Sequence, residues 1–166
     1  MEVPIEMLFN PDSEYKKYFT SYLAKPLKGK GYSRYKTQSL VRITEDNLLQ
    51  ILNFQKHSHG DKRFTVNIAI VPLYIVKEHL TLQPGNRIGW FVGNSDLWFY
   101  YNSANVIKES FERVQQILID NVLPCHENIK DSEALLAQYY TKKYPILFPV
   151  DIGWKTHLLV STPELI

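Results

Sequence analysis

Apolar and polar positions alternate most strictly between residues 63 and 71, where Phe64, Val66, Ile68 and Ile70 are separated by Thr65, Asn67 and Ala69. A period of two belongs to a β-strand with one buried face. Residues 48–56 form a second strand-like run. The intervening His57-Ser58-His59-Gly60-Asp61 carries glycine and aspartate, which a hairpin loop favours. An antiparallel hairpin, 48–56 against 63–71, is therefore the expected centre of the fold. Centring it on His59 sets Phe54 beside Phe64 and Leu52 beside Val66, with Gln55 near Arg63 and Asn53 near Thr65. One face is then apolar and the other amide-rich; a one-residue slip would exchange them.

The remaining pattern adds strands and three helices. Asp12 or Ser13 is placed to cap a helix whose apolar face is Tyr15, Phe19, Tyr22 and Leu23; Pro26 is expected to kink or end it, with Gly29 and Gly31 following. Residues 32–44 suit one strand, followed by a turn at Glu45-Asp46-Asn47. Gln83-Pro84-Gly85-Asn86 reads as a type II turn. A second hairpin, 87–92 with 97–101, is expected around Gly93-Asn94-Ser95-Asp96, with Gly89 under Tyr100. A helix over 102–121 carries the stripe Ile107, Phe111, Val114, Leu118 and Val122 and should stop at Pro124. Asp131 or Ser132 caps a last helix to residue 143, with Leu135, Leu136, Tyr139 and Tyr140 on its buried side; the tail from Pro145 is extended, with Pro149 and Pro163 in it. Strands in adjacent runs, then helices, predict a single α+β domain over 1–166. Its antiparallel sheet has about five strands, with helices packed mainly on one face.

Composition narrows the setting. At 166 residues with 45% hydrophobic content, the chain can bury a core without a metal or disulfide. Cys125 is the single cysteine, so no internal disulfide forms, which suits a reducing compartment. Met1-Glu2-Val3-Pro4-Ile5-Glu6 has acids where a signal peptide needs cations, and no apolar run is long enough to span a membrane. A cytoplasmic location and no membrane partner are expected. Net charge is +2, yet Lys16, Lys17, Lys25, Lys28, Lys30, Arg34, Lys36 and Arg42 lie in a stretch, Tyr15 to Thr44, without any acid. Such asymmetry points to an anionic partner.

Several spaced motifs resemble the mainly bacterial domain-of-unknown-function family 4304. They are Leu49-Gln50-Ile51-Leu52-Asn53-Phe54-Gln55-Lys56 with Arg63-Phe64-Thr65-Val66-Asn67-Ile68, and Arg87-Ile88-Gly89 followed by Asp96-Leu97-Trp98. The segment from Leu27 to Arg42 and Leu123-Pro124 also fit, so the resemblance spans roughly residues 12 to 130. It departs at Cys125-His126, where the family has an aromatic. The resemblance implies an α+β fold around an antiparallel sheet. It implies no activity, and no catalytic residue is carried over.

The candidate binding residues are Asn53, Gln55, Thr65 and Asn67, with Arg87, Asp96 and Trp98. Asparagine is a poor strand former, so two of them in flanking strands call for a reason. One is a polar floor for a protein partner or a small polar ligand; the other is a solvated, mutually hydrogen-bonded strand face. His57, His59 and Asp61 have metal-like spacing but need further ligands from His79, His126 or His157, so neither metal nor cofactor is expected. The basic stretch interleaves Tyr15, Tyr18, Phe19, Tyr22, Tyr32 and Tyr35 with its cations, which leaves nucleic acid as an alternative partner. Cys125 beside His126 is not a nucleophile relay, and no Gly-x-Ser-x-Gly, His-Glu-x-x-His or phosphate-loop pattern occurs. The expectation is a non-enzymatic binding module, with an enzyme site on the open sheet face as a further alternative.

Overall fold

A computed structural model describes residues 8–75, 81–93 and 95–149. A helical rod comes first: α1 (Pro11–Tyr18), a π turn (Phe19–Ala24) and α2 (Lys25–Lys28). Six strands follow, β1 (Ser33–Tyr35), β2 (Ser39–Ile43), β3 (Leu48–Lys56), β4 (Arg63–Pro72), β5 (Gly85–Arg87) and β6 (Phe99–Tyr100). The second rod is α3 (Ala104–Ile117), a π turn (Leu118–Val122) and α4 (Leu123–Asn128); α5 (Ser132–Thr141) closes the described chain. The architecture is α+β. The sheet is antiparallel in the order β1-β2-β3-β4-β5, and β6 also pairs with β4.

The main core lies on one face. Leu40, Leu52, Phe54, Phe64, Val66, Ile68 and Ile70 pack against Phe19, Leu23, Phe111, Val114, Leu118 and Leu135 from the helices. Tyr15, Phe64 and Phe111 form its aromatic centre, with ring centroids 5.2–5.3 Å apart. On the opposite face, Val41, Leu49, Ile51, Ala69 and Val71 make a smaller apolar cluster, against which Leu82 packs.

Both prolines expected to stop helices are bypassed by one device. Lys25 N–H bonds Thr20 O and Leu123 N–H bonds Leu118 O, both five residues back, directly before Pro26 and Pro124. The wider turn makes room for a ring that would clash in an α-helix and lacks an N–H to donate. Pro26 leaves the carbonyl of Tyr22 without its helical donor, and the Gln115 side-chain amide of α3 supplies one at 2.8 Å. The first cap is Asn10, whose Oδ1 accepts from Ser13 N–H, rather than Asp12 or Ser13; Asp12 instead pairs with Lys56 and Lys62.

Three strand expectations change. The run 32–44 breaks into β1 and β2, because Lys36 takes a left-handed φ of 54° and turns the chain. The central hairpin pairs Asn53 with Asn67 and Phe54 with Val66, two residues from the expected register. Gly60, at φ 86°, is the loop residue suited to a left-handed apex, so the turn centres there rather than on His59. A two-residue shift keeps every side chain on its face. Finally, β5 and β6 do not pair as a hairpin; both line up along β4, through Asn67↔Arg87 and Phe64↔Phe99. Gly89 lies against the backbone of Ser95 and Leu97, where a Cβ would come within 2.2 Å of Ser95 O, instead of under Tyr100. Gly85 sits in β5 after a cis Gln83–Pro84 peptide, not in a type II turn, and bridges Leu147. Tyr140 is exposed, because it lies in the last turn of α5, just before Lys142 ends the helix. Asn94, His79, His157 and Pro163 lie outside the described residues.

Candidate functional site

The register aligns four polar residues in one row across four strands. Ser39 of β2 faces Asn53 of β3, Asn53 faces Asn67 of β4, and Asn67 faces Arg87 of β5. Asn53 Nδ2 donates to Ser39 Oγ at 3.0 Å. Asn67 Nδ2 donates to Asn53 Oδ1 at 3.1 Å and to Gln55 Oε1 at 3.0 Å. These bonds tie Ser39, Asn53, Asn67 and Gln55 together, so that part of the row is a preorganised strip rather than a set of loose side chains. It occupies the half of this face that the Val41–Ile51–Ala69 cluster leaves polar.

Arg87 carries the row to its aromatic end. Its Nη1 donates to Asp96 Oδ2 at 2.7 Å, and its guanidinium lies 5.4 Å from the Trp98 ring centre. Arg63 approaches the same ring at 5.0 Å, and His57 meets it edge-on at 5.3 Å. Arg63 Nη2 is 3.1 Å from His57 Nε2, and its Nε is 3.5 Å from Asp61 Oδ2. Two cations and an imidazole thus hold one half-exposed indole in place.

Of the seven residues expected from the sequence, Asn53, Gln55, Asn67, Arg87, Asp96 and Trp98 meet in this strip. Thr65 is fully buried, with its hydroxyl donating to Leu97 O at 2.8 Å; it anchors the loop before β6 to β4. Ser39, Arg63 and His57 were not expected. His57 opens the predicted loop and Arg63 follows it, so their nearness to each other is legible though not their place on the indole; nothing local marks Ser39, which the register alone brings in.

A second polar group lies on the helix-covered face. Gln50, buried between Leu48 and Leu52, donates to the carbonyls of His126 and Ile129 and accepts from Arg42 Nε at 2.8 Å. The Tyr32 hydroxyl and His126 Nδ1 are hydrogen-bonded at 2.6 Å, and Arg42 Nη1 reaches Glu127 at 2.7 Å. Burial, then the Arg42 charge, lowers the His126 pKa to about 3, and burial raises the Tyr32 hydroxyl. Cys125 is buried and its thiol is pushed up to about 12, so it is no nucleophile. Alternating polarity at Gln50, a polar residue among core positions, was the available signal for this group.

Among the described residues, no three histidine, cysteine or acidic side chains are grouped to hold a metal, and no helix is long and apolar enough to cross a membrane. Asp96 is paired with Arg87 at 2.7 Å, and Glu112 lies 3.8 Å from Lys108.

The fold defines an α+β domain with an antiparallel sheet covered by helices on one face. Residues 23–128 match the family model "Domain of unknown function (DUF4304)", and the chain belongs to that family. The matched span runs from the first rod to α4 and includes the whole polar strip. No curated protein and no solved structure matches the chain.

Proposed function

We propose that this protein is a non-enzymatic binding module that receives a protein partner on its polar strip. One observation carries the reading: a hydrogen-bonded polar row, Ser39–Asn53–Asn67, runs across three strands and continues in register to Arg87, which with Arg63 approaches a half-exposed tryptophan. Tryptophan and arginine are the residue types that dominate the energy of protein interfaces. Amide side chains offer both donors and acceptors to a partner's backbone. The strip is a sheet surface, whereas the cavities of about 340 and 470 Å³ are lined by other residues, which favours a protein over a small polar ligand. The buried, unreactive thiol fits a cytoplasmic setting, and the family resemblance fits a bacterial one.

Against the nucleic-acid alternative, most of its aromatic residues are occupied, which leaves Tyr35 exposed beside Lys36. Tyr15, Phe19 and Tyr32 are in the core, Tyr18 and Tyr22 stack on each other, and Lys17 and Arg42 face Glu14 and Glu127.

The test is affinity capture from the native host with wild-type protein, Trp98→Ala and Asn53→Ala/Asn67→Ala, followed by reconstitution of the captured protein with purified chain. The expected result is a partner that binds wild type directly and loses at least tenfold in affinity to Trp98→Ala. A partner retained equally by both variants would place binding elsewhere and sink the proposal.

A further inference from the structure

A cleft of about 340 Å³ opens between the first rod and β1, away from the polar strip. Ala24, Leu40 and the ring of Tyr32 supply its apolar floor, and Lys25, Lys28 and Arg34 its rim. The volume falls within the range of small-molecule sites. Arg34 is positioned rather than loose: its Nη2 donates to Thr20 Oγ1 at 2.6 Å, and its guanidinium lies 5.1 Å over the Phe19 ring. That leaves further N–H donors of the guanidinium for a ligand.

The charge on this rim is uncompensated. Among the described residues, no carboxylate lies within ion-pair distance of Lys25, Lys28 or Arg34; the nearby acids serve others, Glu14 pairing Lys17, Asp12 pairing Lys56 and Lys62, and Glu127 pairing Arg42 and Lys130. The sequence gives the reason, since residues 15–44 contain no acid. Two lysines three apart on a helix repel one another slightly. Their position at the negative end of the rod accounts for part of that arrangement. It does not account for Arg34, which arrives from β1, or for an apolar floor beneath three cations.

We infer that this cleft binds a small amphipathic anion, with a small apolar or aromatic body against Ala24, over the buried Tyr32 and Leu40 that close the floor, and a phosphate or carboxylate head between Lys25, Lys28 and Arg34. The head forms charge-assisted hydrogen bonds, and the body supplies affinity that a bare ion lacks.

The experiment titrates the full chain with phenyl phosphate, inorganic phosphate and benzyl alcohol, read by amide chemical shifts and calorimetry. Phenyl phosphate is expected to saturate, to shift Ala24, Ser33, Arg34 and Leu40, and to bind at least tenfold tighter than either fragment. Lys25→Gln/Lys28→Gln should weaken it at least tenfold with unchanged thermal stability, whereas Trp98→Ala should leave it intact, which separates this site from the polar strip. The inference is overturned by no saturation up to about 10 mM, by equal affinity for inorganic phosphate, by full binding in the double lysine variant, or by shifts confined to other surfaces.

Discussion

Gln50 and Asn53 lie three residues apart on β3 and face opposite sides of the sheet. Gln50 points into the helix-covered side, where it joins β2 to α4 through Arg42, His126 and Ile129. Asn53 points to the other side, where it bonds only side chains of its own sheet, Ser39 and Asn67. Both amides are satisfied, but their settings differ. Around Gln50 every polar atom costs free energy if its partner is lost, because water cannot replace it. Around Asn53 solvent reaches the strip, so the same loss is cheap and a partner's groups can take water's place. A buried amide is read as structure, a half-exposed organised row as a recognition surface.

Four experiments break or sharpen that contrast. Gln50→Ala has the largest expected effect, about 3 kcal/mol by chemical denaturation, since it strands two carbonyls and a guanidinium N–H. A loss below about 1 kcal/mol would mean that water enters the network and that the two faces are energetically alike.

Second comes pH. Above pH 6.5 His126 is neutral whether the chain is folded or not. Below it the unfolded imidazole, at its ordinary 6.5, takes a proton that the folded one refuses until about 3. The unfolded state then binds more protons, so stability is complete above 6.5 and falls as pH drops through that window. Glu127, held down by Lys130 and then Arg42, and Asp12, held down by Lys62, add their losses only below their ordinary values of 4.5 and 3.8. Between pH 6.5 and about 5, above the onset of those two losses, His126 contributes the slope. His126→Gln should flatten it in melts across that range, whatever its effect on absolute stability; an unchanged slope would remove His126 as the cause.

Third, Asn67→Ala removes two bonds at the centre of the open row and should cost about 1 kcal/mol. A loss as large as that of Gln50→Ala would make the strip a structural device. Smallest in stability is Arg87→Ala, expected below about 1 kcal/mol because its pair with Asp96 is half-exposed. Its affinity for the captured partner should nevertheless fall at least tenfold by calorimetry. Stability and binding both unchanged would detach the arginine from recognition.

The strip was partly legible beforehand. Alternation at Phe64, Val66, Ile68 and Ile70 placed Asn53, Gln55 and Asn67 together on the second face, and the two-residue error in register did not move them from it. Arg87, Asp96 and Trp98 were linked to them by family resemblance alone. The route by which they arrive was missed, because β5 and β6 pair with β4 rather than with each other. Arg63 and His57 take their places from packing on the indole, which no local pattern encodes.

Pro26 and Pro124 show the same limit on the helical side. A proline removes one donor in any sequence, and that much is local. Whether the rod ends there depends on a widened turn and, at Pro26, on Gln115 reaching Tyr22 O from another helix.

The chain itself determined what is periodic or chemical: an antiparallel hairpin with one apolar face, two long amphipathic helices, a lone thiol and an acid-free basic stretch. These follow from side-chain spacing and composition, which act over a few residues. Tertiary structure alone decided the sheet order, the row from Ser39 to Arg87, the clamp on Trp98, the burial of His126 beside Tyr32 and Gln50, and the cleft over Leu40. Each of these depends on groups far apart in sequence being held at hydrogen-bond or van der Waals distance, and only the packed core sets those distances.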